Sequence, residues 1–166
     1  MGIEHVINEV AADLGINPVH LTKLISFESR FDPLAQNPFS SARGLIQFTD
    51  TTARDMGYFS SEDLIKKYPT VEAQLRGPVL KYLSQFKPFS APYPQSLYMS
   101  VFYPKARYAA PDTAFSDSIR KVNPGINFVS DYVAKVEKKK GKIATIKKYS
   151  FIGFLFPVAA LSILVF

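Results

Sequence analysis

The sequence predicts an all-α domain followed by a basic linker and an apolar carboxy-terminal helix. Three observations carry that reading. Apolar residues recur at helical spacing, while no stretch alternates for long as a strand would. Capping residues and glycine stops punctuate the chain at helix-length intervals. The last 18 residues, 149–166, hold no charge at all.

The elements follow in order. Ile3, Val6, Ile7, Val10, Ala11 and Leu14 line one face of an amphipathic helix that Gly15 ends. Asn17 is placed to cap a second helix with Pro18 at its first position, and this helix is expected to reach Ser29. Asp32-Pro33 should break it, because the residue before proline avoids the helical region. Residues 34–44 read as loop, from Asn37-Pro38, Ser40, Ser41 and Gly44. A small helix is expected near 50–56, with Asp50 as its cap and Gly57 as its end. Ser61 is expected to cap another helix through Lys67. Thr70 suits the cap of a longer one over 71–86, bent or split at Gly77-Pro78. Residues 88–94 are proline-rich loop, 95–103 an aromatic helix stopped by Pro104, and 109–123 loop with a short helix at 114–121. The last helix of the domain should run over 127–139, with Phe128, Val129, Tyr132, Val133 and Val136 inward. The domain is accordingly drawn at 1–137.

Charge and composition narrow the class. The chain has 166 residues, 47% apolar and 20% charged, as expected of a folded protein with one substantial core. Its net charge of +6 is confined to 135–148, where seven lysines face one acid, Glu137; the remainder has 13 basic and 13 acidic residues. A nucleic-acid-binding face spread over the domain is therefore excluded, and nucleic acid is not an expected partner. No cysteine is present, so disulfides and thiolate metal sites are excluded. His5 and His20 lie off the apolar stripes of their helices, which points to surface roles and no metal. Residues 138–148 form a Lys-rich juxtamembrane linker, and 149–166 would span about 27 Å as a helix, enough for a bilayer's hydrocarbon core. The flanking lysines suit anionic headgroups, so a lipid membrane is the expected partner of this tail. The other reading is an apolar helix packed on protein. No amino-terminal signal peptide is expected, since Glu4, Glu9 and Asp13 interrupt the first stretch.

Glu28 is the pivot. It follows Leu21, Leu24 and Ile25 at helical spacing, so its carboxyl points with the core-facing side chains. Burial disfavours the charged form of a carboxyl, which should raise its pKa and suit it to act as a general acid. The alternative is a helix-end glutamate that turns outward or meets Arg30 or Arg43.

Glu28-Ser29, Phe31-Asp32-Pro33, Ala35, Ser40-Ser41 and then Ala42-Arg43-Gly44-Leu45-Ile46-Gln47-Phe48 resemble the soluble lytic transglycosylase family. The family pattern is a Glu-Ser pair at a helix end, followed after a loop by Gly-Leu-Met-Gln, with isoleucine here in place of methionine. The resemblance covers about residues 3–136 and implies a lysozyme-like fold that cleaves peptidoglycan without a cofactor. The family's Ala-Tyr-Asn motif corresponds to 98–104, whose phrasing is similar to phage-encoded members and lacks the asparagine. Tyr132 matches the tyrosine of the family's last helix that points towards the catalytic glutamate.

What the resemblance implies is cleavage of the β-1,4 bond between N-acetylmuramic acid and N-acetylglucosamine, with Glu28 as acid and then base and a 1,6-anhydro product. Ser29, Gly44, Gln47, Tyr103 and Tyr132 would bind the substrate, although Gln47 has the alternative of tying its own loop. Phe102 is better read as core packing. Two alternatives stand beside this: a hydrolase using Asp32, Asp50 or Asp55 as second carboxylate, and a non-catalytic, membrane-anchored glycan-binding protein. The basic flank, the apolar tail and the phage-like phrasing together lead to the expectation of a virion-associated enzyme. It would contact other virion proteins and open the host wall from the periplasm.

Overall fold

A computed structural model describes residues 2–141. The expected linker beyond residue 141 and the apolar tail 149–166 lie outside the described residues. Among those described, no helix is long and apolar enough to cross a membrane.

The described chain is helical, with only isolated β-bridges between Gln36 and Arg43, Arg43 and Phe48, and Ala114 and Phe128. Helix α1, Ile3–Leu14, ends in Gly15, whose φ of 69° is left-handed and whose N–H closes on Ala11 and Ala12 carbonyls. Helix α2, Pro18–Glu28, starts as its sequence dictates: Asn17 Oδ1 accepts the Val19 N–H, and proline occupies the first turn. Helix α2 stops one residue before the sequence suggests and well before Asp32-Pro33. Ser29 is its cap, and Arg30 and Phe31 then take φ of 56° and 65°. Two consecutive non-glycine residues in that region cost roughly 1–2 kcal/mol each, a strain held by the surrounding packing. Its effect is to leave Glu28 as the last helical residue.

Helix α3 is Asp50–Asp55, and its cap is Thr49 rather than Asp50: Thr49 Oγ1 accepts the Thr52 N–H. Helix α4 is Ser61–Lys67, capped by Ser60 rather than Ser61. Ser61 is withdrawn from capping because its buried hydroxyl donates to the Ser41 carbonyl and to Asp50 Oδ1. Thr70 caps α5, Val71–Gln74; Pro78, which has no N–H to give, then sits in a wider π turn, Leu75–Val79, before α6, Leu80–Ser84. Helix α7 is Gln95–Phe102, followed by a single 3₁₀ turn at Pro104–Ala106.

The carboxy-terminal elements sit later and shorter than their residues suggest. Helix α8 is Asp117–Val122, because Ala114 is drawn into its bridge with Phe128. Helix α9 is Val129–Glu137. Phe128 is its cap, 42% exposed rather than inward, and Asp131 Oδ2 accepts the Asn127 and Phe128 N–H groups.

Helix α1 packs on α2 and on the α5–α6 rod, while α9 packs on α2 and α7. Leu21, Leu24, Ile25, Leu97, Tyr98 and Val129 are fully buried at this junction. Each such side chain contributes about 1.5–3 kcal/mol by leaving water. His20 departs from the surface role suggested for it. It is half-buried, with Nδ1 2.9 Å from Tyr98 Oη and 3.1 Å from Glu137 Oε1. Lys23 Nζ donates to Glu137 Oε2 at 2.6 Å, and Tyr98 Oη donates to Oε1, so one carboxylate ties α2, α7 and α9 together. The first residues beyond α9 turn back on the domain. Gly141 lies so close to α2 that a Cβ on it would meet Val19 Cγ1 at 2.4 Å.

Candidate active site

Glu28 is carried inward by the stripe that precedes it. Leu21, Leu24 and Ile25 are fully buried, and Glu28, in phase with them, is 2% exposed. The arginine pairing open to Arg43 is not formed; Arg43 Nη2 faces Glu62 Oε2 at 3.9 Å. Glu28 instead meets Tyr132, one turn into α9, whose hydroxyl donates to Oε1 at 2.5 Å. Loss of solvent pushes the Glu28 carboxyl up to about 8, with the Tyr132 hydrogen bond opposing in part. The Tyr132 hydroxyl is itself held well above its ordinary pKa by burial and by the neighbouring carboxyl, so it remains a donor. Near neutral pH the pair is thus a protonated acid held in place by a phenol.

Aromatic rings fix that phenol. Phe102 stacks on Tyr132 with ring centres 4.3 Å apart and planes 16° from parallel. Phe27 meets the Tyr132 ring edge-on at 5.4 Å, and Phe115 meets Phe102 edge-on at 5.4 Å. Phe102 is packing, as its residue type suggests, but packing directed at the tyrosine that touches Glu28. Tyr103 is half-buried and edge-on to Phe115 at 5.9 Å.

Ser29 is adjacent to the acid, 6% exposed, with its Oγ donating back to the Ile25 carbonyl at 3.2 Å. Gly44 and Gln47 are joined to one another. Gly44 has φ of 75°, and Gln47 Nε2 donates to the Gly44 carbonyl at 2.9 Å. The tie-down open to Gln47 is thus present. This turn is closed on both sides by Arg43 and Phe48, whose N–H groups donate to each other's carbonyls at 3.0 and 2.8 Å. A side chain at Gly44 would collide with Ile65 Cδ1 at 2.4 Å and Gln74 Oε1 at 2.6 Å, so packing alone accounts for this glycine.

Gln74 escapes sequence reasoning. Fully buried on α5, it accepts the Leu45 N–H at 2.9 Å and donates to the Pro33 and Tyr68 carbonyls at 2.6 and 3.0 Å. It therefore pins both ends of the loop that follows Glu28. Its signal was a lone amide between the apolar residues Val71 and Leu75 on a capped helix. The three candidate second carboxylates are otherwise engaged or apart. Asp32 Oδ1 accepts the Leu34 N–H, Asp50 Oδ1 accepts from Ser61, and Asp55 lies on an exposed helix end. Burial and Tyr132 account for the acidity of Glu28, with no other acidic group acting on it among the described residues.

Residues 5–70 match the family described as the transglycosylase SLT domain, a segment that includes Glu28, Ser29, Gly44 and Gln47. No curated protein and no solved structure gives a significant match to the chain. The matched segment stops before Tyr103 and Tyr132, which the fold brings to the same core by way of Phe102 and Phe115. A helix-end glutamate made into a weak acid by burial, inside a segment of this family and an all-helical domain, identifies the chain as carrying a transglycosylase SLT domain of the lysozyme-like, lytic transglycosylase kind.

Proposed function

We propose that the protein cleaves the β-1,4 bond between N-acetylmuramic acid and N-acetylglucosamine in peptidoglycan and leaves a 1,6-anhydro end. The observation that carries this reading is the buried Glu28–Tyr132 pair without a second carboxylate at hand among the described residues. Glu28 gives its proton to the glycosidic oxygen as the bond to the muramyl C1 breaks. The substrate's own acetamido group shares the positive charge that develops, so no protein nucleophile is required. Tyr132 stabilises the carboxylate that results. Glu28 then takes the proton of the muramyl 6-hydroxyl as its oxygen closes on C1, which returns the acid to its starting state without consuming water. Ser29, Gln47, Gly44 and Tyr103 are proposed to hold the sugars around the reacting bond.

Mass spectrometry of digested peptidoglycan tests the product. Anhydro-muramic ends that disappear in Glu28→Gln are expected. Reducing muramic ends would replace this reading with hydrolysis, and equal clearing by both proteins would remove Glu28 from the chemistry. The tail 149–166 is proposed to tether the enzyme to a membrane, on the strength of its eighteen uncharged residues beside a lysine run. Deleting it should release the protein from membranes. Carriage on a bacteriophage particle belongs to the same proposal. It rests on the phrasing of residues 98–104, and detection of the chain in purified particles tests it.

A further inference from the structure

A cavity of about 290 Å³ opens between α3, α6 and the turn after α7, and Glu28 does not line it. Its apolar floor is Met56, Tyr82 and Phe86. The Tyr82 ring is immobilised by its hydroxyl, which donates to the Ser100 carbonyl at 2.8 Å, and by edge-on contacts with Phe48 at 5.9 Å and Phe86 at 5.2 Å. At its rim stand Asp55, from the end of α3, and Lys105, from the 3₁₀ turn. Both are exposed, and among the described residues neither joins an ion pair, with each other or with anything else.

The cavity is continuous in sequence with the proposed sugar-binding residues on both of its sides. Thr49 on one wall follows Gln47 and Phe48; Pro104 on the other follows Tyr103. A ligand lying across Gln47 and Tyr103 would therefore have its next substituent here. In peptidoglycan the sugar backbone is uncharged. Its charges sit on the peptide attached to muramic acid, which carries carboxylates and, on its diamino acid, an ammonium group. A lone cation and a lone anion flanking an aromatic floor match that zwitterionic peptide and offer nothing specific to a neutral sugar.

We propose that this cavity is a subsite for the peptide of peptidoglycan, with Lys105 receiving a peptide carboxylate and Asp55 the ammonium of the diamino acid. The assignment rests on the peptidoglycan-cleaving reading above and names the part of the substrate that reading leaves open. It makes the protein prefer strands that still carry their peptides over strands stripped by an amidase.

Ligand-observed NMR titration of the full-length chain with the muramyl disaccharide, with and without its tetrapeptide, tests the subsite. The peptide-bearing ligand should bind several-fold more tightly. Asp55→Asn and Lys105→Gln should each remove about twofold to fivefold of that preference, the range of partly screened charge contacts. The double variant should bind both ligands alike. Equal affinities in the unaltered chain, a preference that survives in the double variant, or no binding of either ligand would overturn the proposal. Cleavage of amidase-stripped strands by the unaltered chain, followed in parallel, reports on the enzyme reading separately. Strands cut without any peptide preference sink the subsite alone, whereas intact strands beside a preserved preference sink the enzyme reading alone.

Discussion

Glu28 at about 8 stands far above the ordinary glutamate value of 4.5, and that difference has two measurable consequences. The first is in activity. A general acid must hold its proton, so turnover should fall as pH rises through about 8. The second is in stability, and its sign runs against the usual carboxylate. Between pH 4.5 and 8 the unfolded chain releases this proton while the folded chain keeps it, so stability declines by about 1.4 kcal/mol per pH unit and levels off above. Glu28→Gln abolishes the penalty. The variant should melt at nearly the wild-type temperature at pH 4.5 and well above it at pH 8.5, by roughly 4 kcal/mol at most. A gap that does not widen with pH would mean that Glu28 is not the titrating group. Tyr132→Phe separates the phenol's two effects. Without its hydrogen bond the Glu28 carboxyl should hold its proton to still higher pH, moving the alkaline fall upward. Turnover should drop by about tenfold or more, since the carboxylate left after proton donation loses its donor. A lower rate with an unmoved pH profile would leave Tyr132 only a packing role.

At the scale of elements, the turn from Arg43 to Phe48 shows how far a motif can be explained by its own fold. Gly44→Ala should cost about 2–4 kcal/mol, from the left-handed backbone together with the clash on Ile65 and Gln74, and thermal melting would register it. Retained stability would return this glycine to a role in substrate approach. Helices α1 and α2 were legible nearly to the residue because their signals are local: an apolar period, Asn17-Pro18 at one start and Gly15 at one end. Where the sequence misleads, a distant partner decides. Ser60 and Ser61 are equally good caps by type, and only Ser41 and Asp50, folded against them, assign the cap to Ser60. Ala114 leaves its expected helix for Phe128, fourteen residues on. Glu28 was legible as an inward carboxyl, but the stack of Phe102 on Tyr132 joins helices that carry no mark of each other in sequence.

Across the whole molecule, the Glu137 carboxylate is the tie that sets α9 against α2 and α7, five positions beyond Tyr132. Partial burial pushes this carboxyl up, yet the hydrogen bonds from Lys23, Tyr98 and His20 prevail and hold it below its ordinary value. Its stabilisation is therefore present above about pH 4.5 and is lost as acid protonates it. Glu137→Ala should lower stability by about 1–3 kcal/mol at neutral pH, because Tyr98 and Lys23 lose their acceptor. It should also reduce turnover by loosening the register of α9. Unchanged melting would show that the apolar contacts of Val129 and Val136 suffice to seat this helix.

The partners of the central hydrogen bond are 104 positions apart, and neither can make it alone. A ribosome-bound chain that has emerged only through α8 holds Glu28 in water, where at the ordinary value of 4.5 it has already lost its proton in a neutral cytosol. Such a chain has no acid to donate. The capacity to open a cell wall is acquired at the moment the last helix docks, and a nascent or clipped chain lacking Tyr132 is harmless to the cell that makes it.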